Sequence, residues 1–116
     1  MKTEQPILIT SITATEDLSS AKNLAIAYNG AICVDGDLAL GILAADTNNG
    51  EQAPVIVQGI ALVKSGGAIS ITNIVEADSE GRAILSSTGR PFGRALDAAS
   101  GAGEYIRVLL IPSSIA

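Results

Sequence analysis

From Leu24 onward this chain is a series of short β-prone runs separated by turn chemistry. Residues 24–28 are a β-prone run that ends at Asn29-Gly30, a dipeptide suited to the positive φ angles of a tight hairpin turn. Residues 31–34 stop at Asp35-Gly36-Asp37, and residues 38–43 stop at a polar loop spanning 46–51. Residues 54–63 form the strongest strand candidate. Val55, Val57, Gly59, Ala61 and Val63 alternate there with Ile56, Gln58, Ile60 and Leu62, which predicts a strand covered on both faces. Lys64-Ser65-Gly66-Gly67 breaks it, and residues 68–75, 82–85, 92–96 and 105–111 are further short runs. Seven or eight short strands spaced about ten residues apart predict an all-β fold, a small β-barrel or sandwich. One or two short helical turns are expected beside it. Residues 94–100 precede a Gly101 stop, and residues 13–22 carry Thr13 and Glu16 at capping-box spacing.

The length of 116 residues allows one core, and composition narrows what that core can do. Hydrophobic residues make up 47% and charged residues 16%, and Tyr28, Phe92 and Tyr105 are the aromatic residues. So many apolar side chains with so few charges rule out a disordered chain and predict that much of the surface is covered by other protein. Histidine is absent, which removes histidine bases, histidine triads and histidine-ligated metals. The single cysteine, Cys33, can form neither an internal disulfide nor a thiolate cage. A net charge of -5 and few rings argue against nucleic acid as a partner. No apolar run approaches the length a membrane span needs, so no membrane partner is expected. The polar start Met1-Lys2-Thr3-Glu4-Gln5-Pro6 does not read as a secretory signal, which predicts a soluble protein acting inside a cell or in a particle assembled there.

The strings that suggest chemistry have simpler readings. Ser19-Ser20-Ala21-Lys22 has the S-x-x-K spacing of serine acyl-transfer enzymes, but neither companion motif occurs. The carboxylate pairs Glu16/Asp17, Asp35/Asp37 and Asp78/Glu80 lie in expected turns, without the rings on which a sugar would stack. Asp35-Gly36-Asp37 lacks the further oxygen ligands of a calcium loop. Gly66-Gly67 and Gly101-Ala102-Gly103 fit no phosphate-binding pattern. Cys33 sits in an apolar run and reads as a small core residue. No catalytic, cofactor-binding or metal-binding residue is assigned, and no cofactor is expected.

Residues 1–20 read as an N-terminal arm and 21–116 as a single β-domain. Within the arm, Pro6, Ile7, Leu8, Ile9 and Ile12 lie among threonines and serines. They form either the first strand of the protein's own sheet or an arm that adds to the edge of a neighbouring protein. In the second reading these five residues are an interface with another subunit.

The order of segments resembles the small capsid decoration, or cement, proteins of tailed bacteriophages. The likeness spans roughly residues 20–111. It rests on Ala31-Ile32-Cys33-Val34-Asp35-Gly36-Asp37, on Val57-Gln58-Gly59-Ile60-Ala61, and on Gly66-Gly67-Ala68 leading to Ile69 and Ile71. Its clearest part is Gly93-Arg94-Ala95-Leu96-Asp97-Ala98-Ala99 followed by Gly103-Glu104-Tyr105-Ile106-Arg107-Val108-Leu109-Leu110. The resemblance implies a non-enzymatic virion protein, assembled in the host cytoplasm, on the outer capsid surface. There it would bind the major capsid protein and staple neighbouring subunits together, as a homo-oligomer with a trimer favoured. Repetition over a shell fits this, because simultaneous engagement lets each contact be weak. The competing readings are a small β-barrel binding module, such as a head-fibre or glycan-contacting protein, and an enzyme with a carboxylate-only site. A groove with aromatic or charged anchors would mark the first, and a carboxylate held protonated in a cleft would mark the second.

Overall fold

The computed structural model describes residues 3–87 and 89–111, so the small-residue tail after Ile111 lies outside the described residues. Eight strands follow in order: β1 (Gln5–Thr13), β2 (Ala25–Ala27), β3 (Ala39–Leu43), β4 (Gln52–Gly66), β5 (Ile74–Ala77), β6 (Ala83–Leu85), β7 (Pro91–Ala95) and β8 (Ala102–Leu110). The fold is all-β. Strands β4, β6, β5, β7 and β8 follow one another around a ring that the β4–β8 pairing closes into a five-stranded barrel. Strands β2 and β3 extend from β4 as a wing, and β1 pairs with β4 alone among the described strands.

Strand β4 organises the molecule because both of its edges are used twice. Val55 and Ile56 pair with β1 on one edge and β3 on the other, while Ile60 pairs with Gln5 of β1 and Leu109 of β8. Two cores result. The barrel core contains Ala61, Val63, Val75, Phe92, Ile106 and Val108, joined from the wing by Ala25, Cys33 and Ile42. A second cluster of Ala14, Leu18, Ala21, Ile26, Leu43, Ala53 and Val55 fills the other side of the wing. Residues 54–63 do not therefore present one continuous odd-numbered face. Ala53 and Val55 belong to the second cluster, whereas Ala61 and Val63 belong to the barrel.

The switch of sides has a local cause. Pro6 and Leu8 pair with the adjacent Gly59 and Gln58, and the adjacent Leu8 and Ile9 pair with Gln58 and Ile56. Ile7 is thus an extra residue on β1 and Val57 an extra residue on β4, two bulges that offset each other in register. Gly59 completes the bend with a φ of 103°, and a Cβ there would lie 2.5 Å from the Gln5 carbonyl oxygen and 2.7 Å from the Ile7 nitrogen. Valine at this position would cost about 1–3 kcal/mol in backbone strain alone and would collide with β1. Gly59→Val is expected to release β1, with amide protons of residues 5–13 losing exchange protection while those of β8 keep it. Protection of both strands unchanged would show that β1 does not depend on this glycine.

Three local expectations are corrected. Residues 13–22 form no helix, because their backbone bonds run across the wing: Ala14 N–H donates to the Glu51 carbonyl (2.9 Å), and Leu18 N–H donates to the Thr47 carbonyl (2.8 Å). Residues 94–100 are not helical either. Arg94 and Ala95 end β7, Leu96 N–H donates to the Arg107 carbonyl (2.8 Å), and Ala99 bridges Ile69. The runs 31–34 and 68–75 are mostly irregular. Asn29-Gly30 does turn the chain, with Ala27 N–H donating to the Ala31 carbonyl (2.9 Å), but only an Ile26–Ile32 bridge follows. In the second run, Ser70 N–H is taken by the Asn73 side chain (2.9 Å), which delays the strand until Ile74.

Candidate functional site

The five arm residues do not share one environment. Ile7, Leu8 and Ile9 are 79%, 51% and 49% exposed, Pro6 is exposed, and Ile12 is half-buried against the second core. Strand β1 is laid on β4 of its own chain, and apart from Ile12 it puts no side chain into either core. Beneath it the chain is anchored by Ala14, which is buried and also accepts from Gly50 N–H (2.9 Å). Three consecutive large apolar side chains in water are unusual for a free monomer, and covering a fully exposed Ile or Leu is worth about 1.5–3 kcal/mol.

Beside β1 lies a patch that sequence reasoning missed. Ile106, Val108 and Leu110 of β8 point into the barrel, so Tyr105, Arg107 and Leu109 point outward. Cross-strand pairing aligns Leu109 with Ile60 and Gln5, and Arg107 with Leu62. Leu109 and Tyr105 are 44% and 47% exposed on the outside of the barrel, with Leu109 in register with the start of β1 across Ile60. The alternation in residues 105–110 carried that signal, since Arg107 marks the outward set and Ile106, Val108 and Leu110 the inward one. The aromatic residues divide accordingly: Phe92 is in the barrel core, whereas Tyr28 and Tyr105 are on the surface.

The carboxylates hold loops together. Asp78 accepts from the backbone N–H of Glu80 (2.8 Å) and Arg82 (2.9 Å) and pairs with the Arg82 guanidinium (2.9 Å). Glu16 accepts from Ile32 N–H (2.7 Å), and Asp97 grips Arg107 through Nε and Nη2, both at 3.0 Å. Glu76 is buried and its Oε1 accepts from the Ser86 hydroxyl (3.0 Å) and from the N–H groups of Ser87 (2.9 Å) and Gly89 (3.0 Å). A cleft of about 430 Å³ is lined by Glu16, Lys64, Glu80 and Arg82 around Leu24, Ile32 and Val34, with no ring among its described lining residues. Arg94 donates to the Thr72 carbonyl (2.7 Å).

Cys33 is a core residue, and its Sγ donates to the Asp37 carbonyl at 3.3 Å. Burial, helped by the Asp37 charge, pushes its thiol from 9.0 up to about 11. The unfolded thiol ionises first, so this group's contribution to stability is present below pH 9.0 and is lost as pH rises towards about 11. The native thiol is expected to resist iodoacetamide at pH 8 and to react fully in urea. Rapid labelling of the native protein would contradict its placement in the core.

The phage cement protein family matches the chain over residues 4–110. The chain belongs to that family. This cement protein is accordingly a head-associated structural protein of the virion. No curated protein matches its sequence. Among solved structures, it is similar to the N base of head fiber gp8.5 of bacteriophage phi29, with a TM-score of 0.68 and 16% identity. The similarity covers 94% of this chain and 99% of the phi29 chain, and at that identity it speaks for the fold.

Proposed function

We propose that this cement protein binds the outer surface of a phage head and bridges adjacent major capsid protein subunits without catalysing a reaction. The observation that carries the reading is the apolar strand β1, displayed on a barrel that closes without it. Pro6, Ile7, Leu8, Ile9 and Ile12 are its interface with a capsid or sister subunit, and Tyr105 and Leu109 extend it. A homo-oligomer, with a trimer favoured, would present several such strands at once, so modest contacts sum to firm attachment. Assembly in the host cytoplasm follows from attachment to heads built there. The phi29 likeness, to a part of a head fiber, supports a domain seated on a head. The ringless cleft speaks against a sugar-binding module.

A bridging protein stabilises whatever form of the shell it binds. Added at saturation to expanded heads that lack it, the protein is expected to raise the temperature at which the shell opens and releases DNA. An unchanged opening temperature at full occupancy would leave attachment intact as an idea and remove bridging.

A further inference from the structure

Strand β1 and the β4 edge that receives it are built for each other, yet little obliges them to belong to the same chain. Pro6 crosses β4 where Gly59 has no Cβ, and the extra residue Ile7 on one strand is offset by Val57 on the other. At the far end the Gln52 side chain donates to the Thr13 hydroxyl at 2.7 Å. A strand of unrelated sequence would not satisfy these features together, whereas β1 of a second copy does so by identity. The barrel closes through β4–β8 whether or not β1 is present, and the chain just after β1 is pinned at Ala14. Simple addition of another strand to the free edge of β1 is disfavoured, because Pro6 has no N–H and the Ile7 bulge interrupts that edge.

We infer that β1 is an exchangeable strand, and that in the assembled protein residues 5–13 of one copy lie on residues 52–60 of another. The hinge is at Thr13–Ala14. Each copy donates one strand and accepts one, so the exchange closes into a ring of any small number of copies without leaving an unfilled edge. It also sets β1 between two bodies, which suits a strand exposed on both faces. The inference rests on reading β1 as an interface and specifies the sister copy as its partner.

The test uses full-length single variants that differ in isotope label. Leu8→Cys in labelled protein and Gln58→Cys in unlabelled protein place thiols at paired, exposed positions. The two are mixed in urea, refolded together and oxidised mildly, with the buried Cys33 protected by the fold. Disulfide-linked peptides joining residue 8 of the labelled chain to residue 58 of the unlabelled chain are expected as the main interchain product. The pair Ser11→Cys and Pro54→Cys should repeat the result, and Gly59→Val in the accepting chain should abolish it. Interchain products only of the 8–8 or 58–58 kind, or none, would overturn exchange. Head binding of the parent protein, whose β1 is unaltered, is measured alongside. Binding without 8–58 linkage defeats exchange and leaves the head reading standing, and linkage without binding does the reverse.

Discussion

Replacing Glu76 by alanine is expected to lower the stability of the barrel by about 1–3 kcal/mol, because three donors at half-buried or exposed loop positions lose the one buried carboxylate that organises them. The three donors are the Ser86 hydroxyl and the N–H groups of Ser87 and Gly89, all converging on one carboxylate oxygen. The site cannot relax inward easily. A Cβ on Gly89 would lie 2.3 Å from the Gly36 Cα, so the 35–37 turn and the loop before β7 are already in close contact over the carboxylate. Gly36 N–H donates to the Ala77 carbonyl and Arg90 N–H to the Gly36 carbonyl, both at 2.8 Å, which ties the same turn to β5 and to the start of β7. Losing the carboxylate therefore loosens one end of the barrel rather than a single loop. Glu76→Gln, which keeps an acceptor oxygen, should cost distinctly less. Urea unfolding measures both, and a loss below about 1 kcal/mol for the alanine variant would show that these bonds are replaceable by water.

The second large effect is on attachment. Changing Ile7, Leu8 and Ile9 together to serine should leave the fold intact, since these side chains lie outside both cores. Covering them on a partner is worth about 3–4 kcal/mol in all, given that two are already half-covered. Their loss should weaken binding to heads a few hundred-fold, at about tenfold per 1.4 kcal/mol. Ile12→Ser alone should instead reduce stability, because Ile12 packs on the second core. A triple variant that is folded by circular dichroism and binds heads as tightly as the parent would remove β1 from the interface.

How much of this was legible in the sequence depends on the scale of the question. The strand content was, because Asn29-Gly30, Asp35-Gly36-Asp37 and Gly66-Gly67 fall between runs of β-prone residues. The path of β4 was not. Alternation in residues 54–63 is apolar on both faces, so it carries no mark of the point where Val57 bulges and the odd positions change core. Residues 94–100 have helical composition, but pairing of Ala99 with Ile69 and the Asp97–Arg107 grip outweigh a propensity worth a few tenths of a kcal/mol per residue. The exposed arm residues were visible as an apolar run, whereas the Leu109–Ile60 patch depends on register between distant strands. The Glu76 knot gathers residues 36, 76, 86, 87 and 89, and no local pattern announces it.

The central claim is that this cement protein attaches to the outside of a phage head and bridges capsid subunits there. Co-sedimentation of the purified protein with heads from its own source, before and after expansion, tests it most directly. Saturable binding at a fixed ratio to the major capsid protein, confined to expanded heads, is the predicted result, and the ratio reads out the number of copies at each lattice position. Absence of binding to either form would contradict the account.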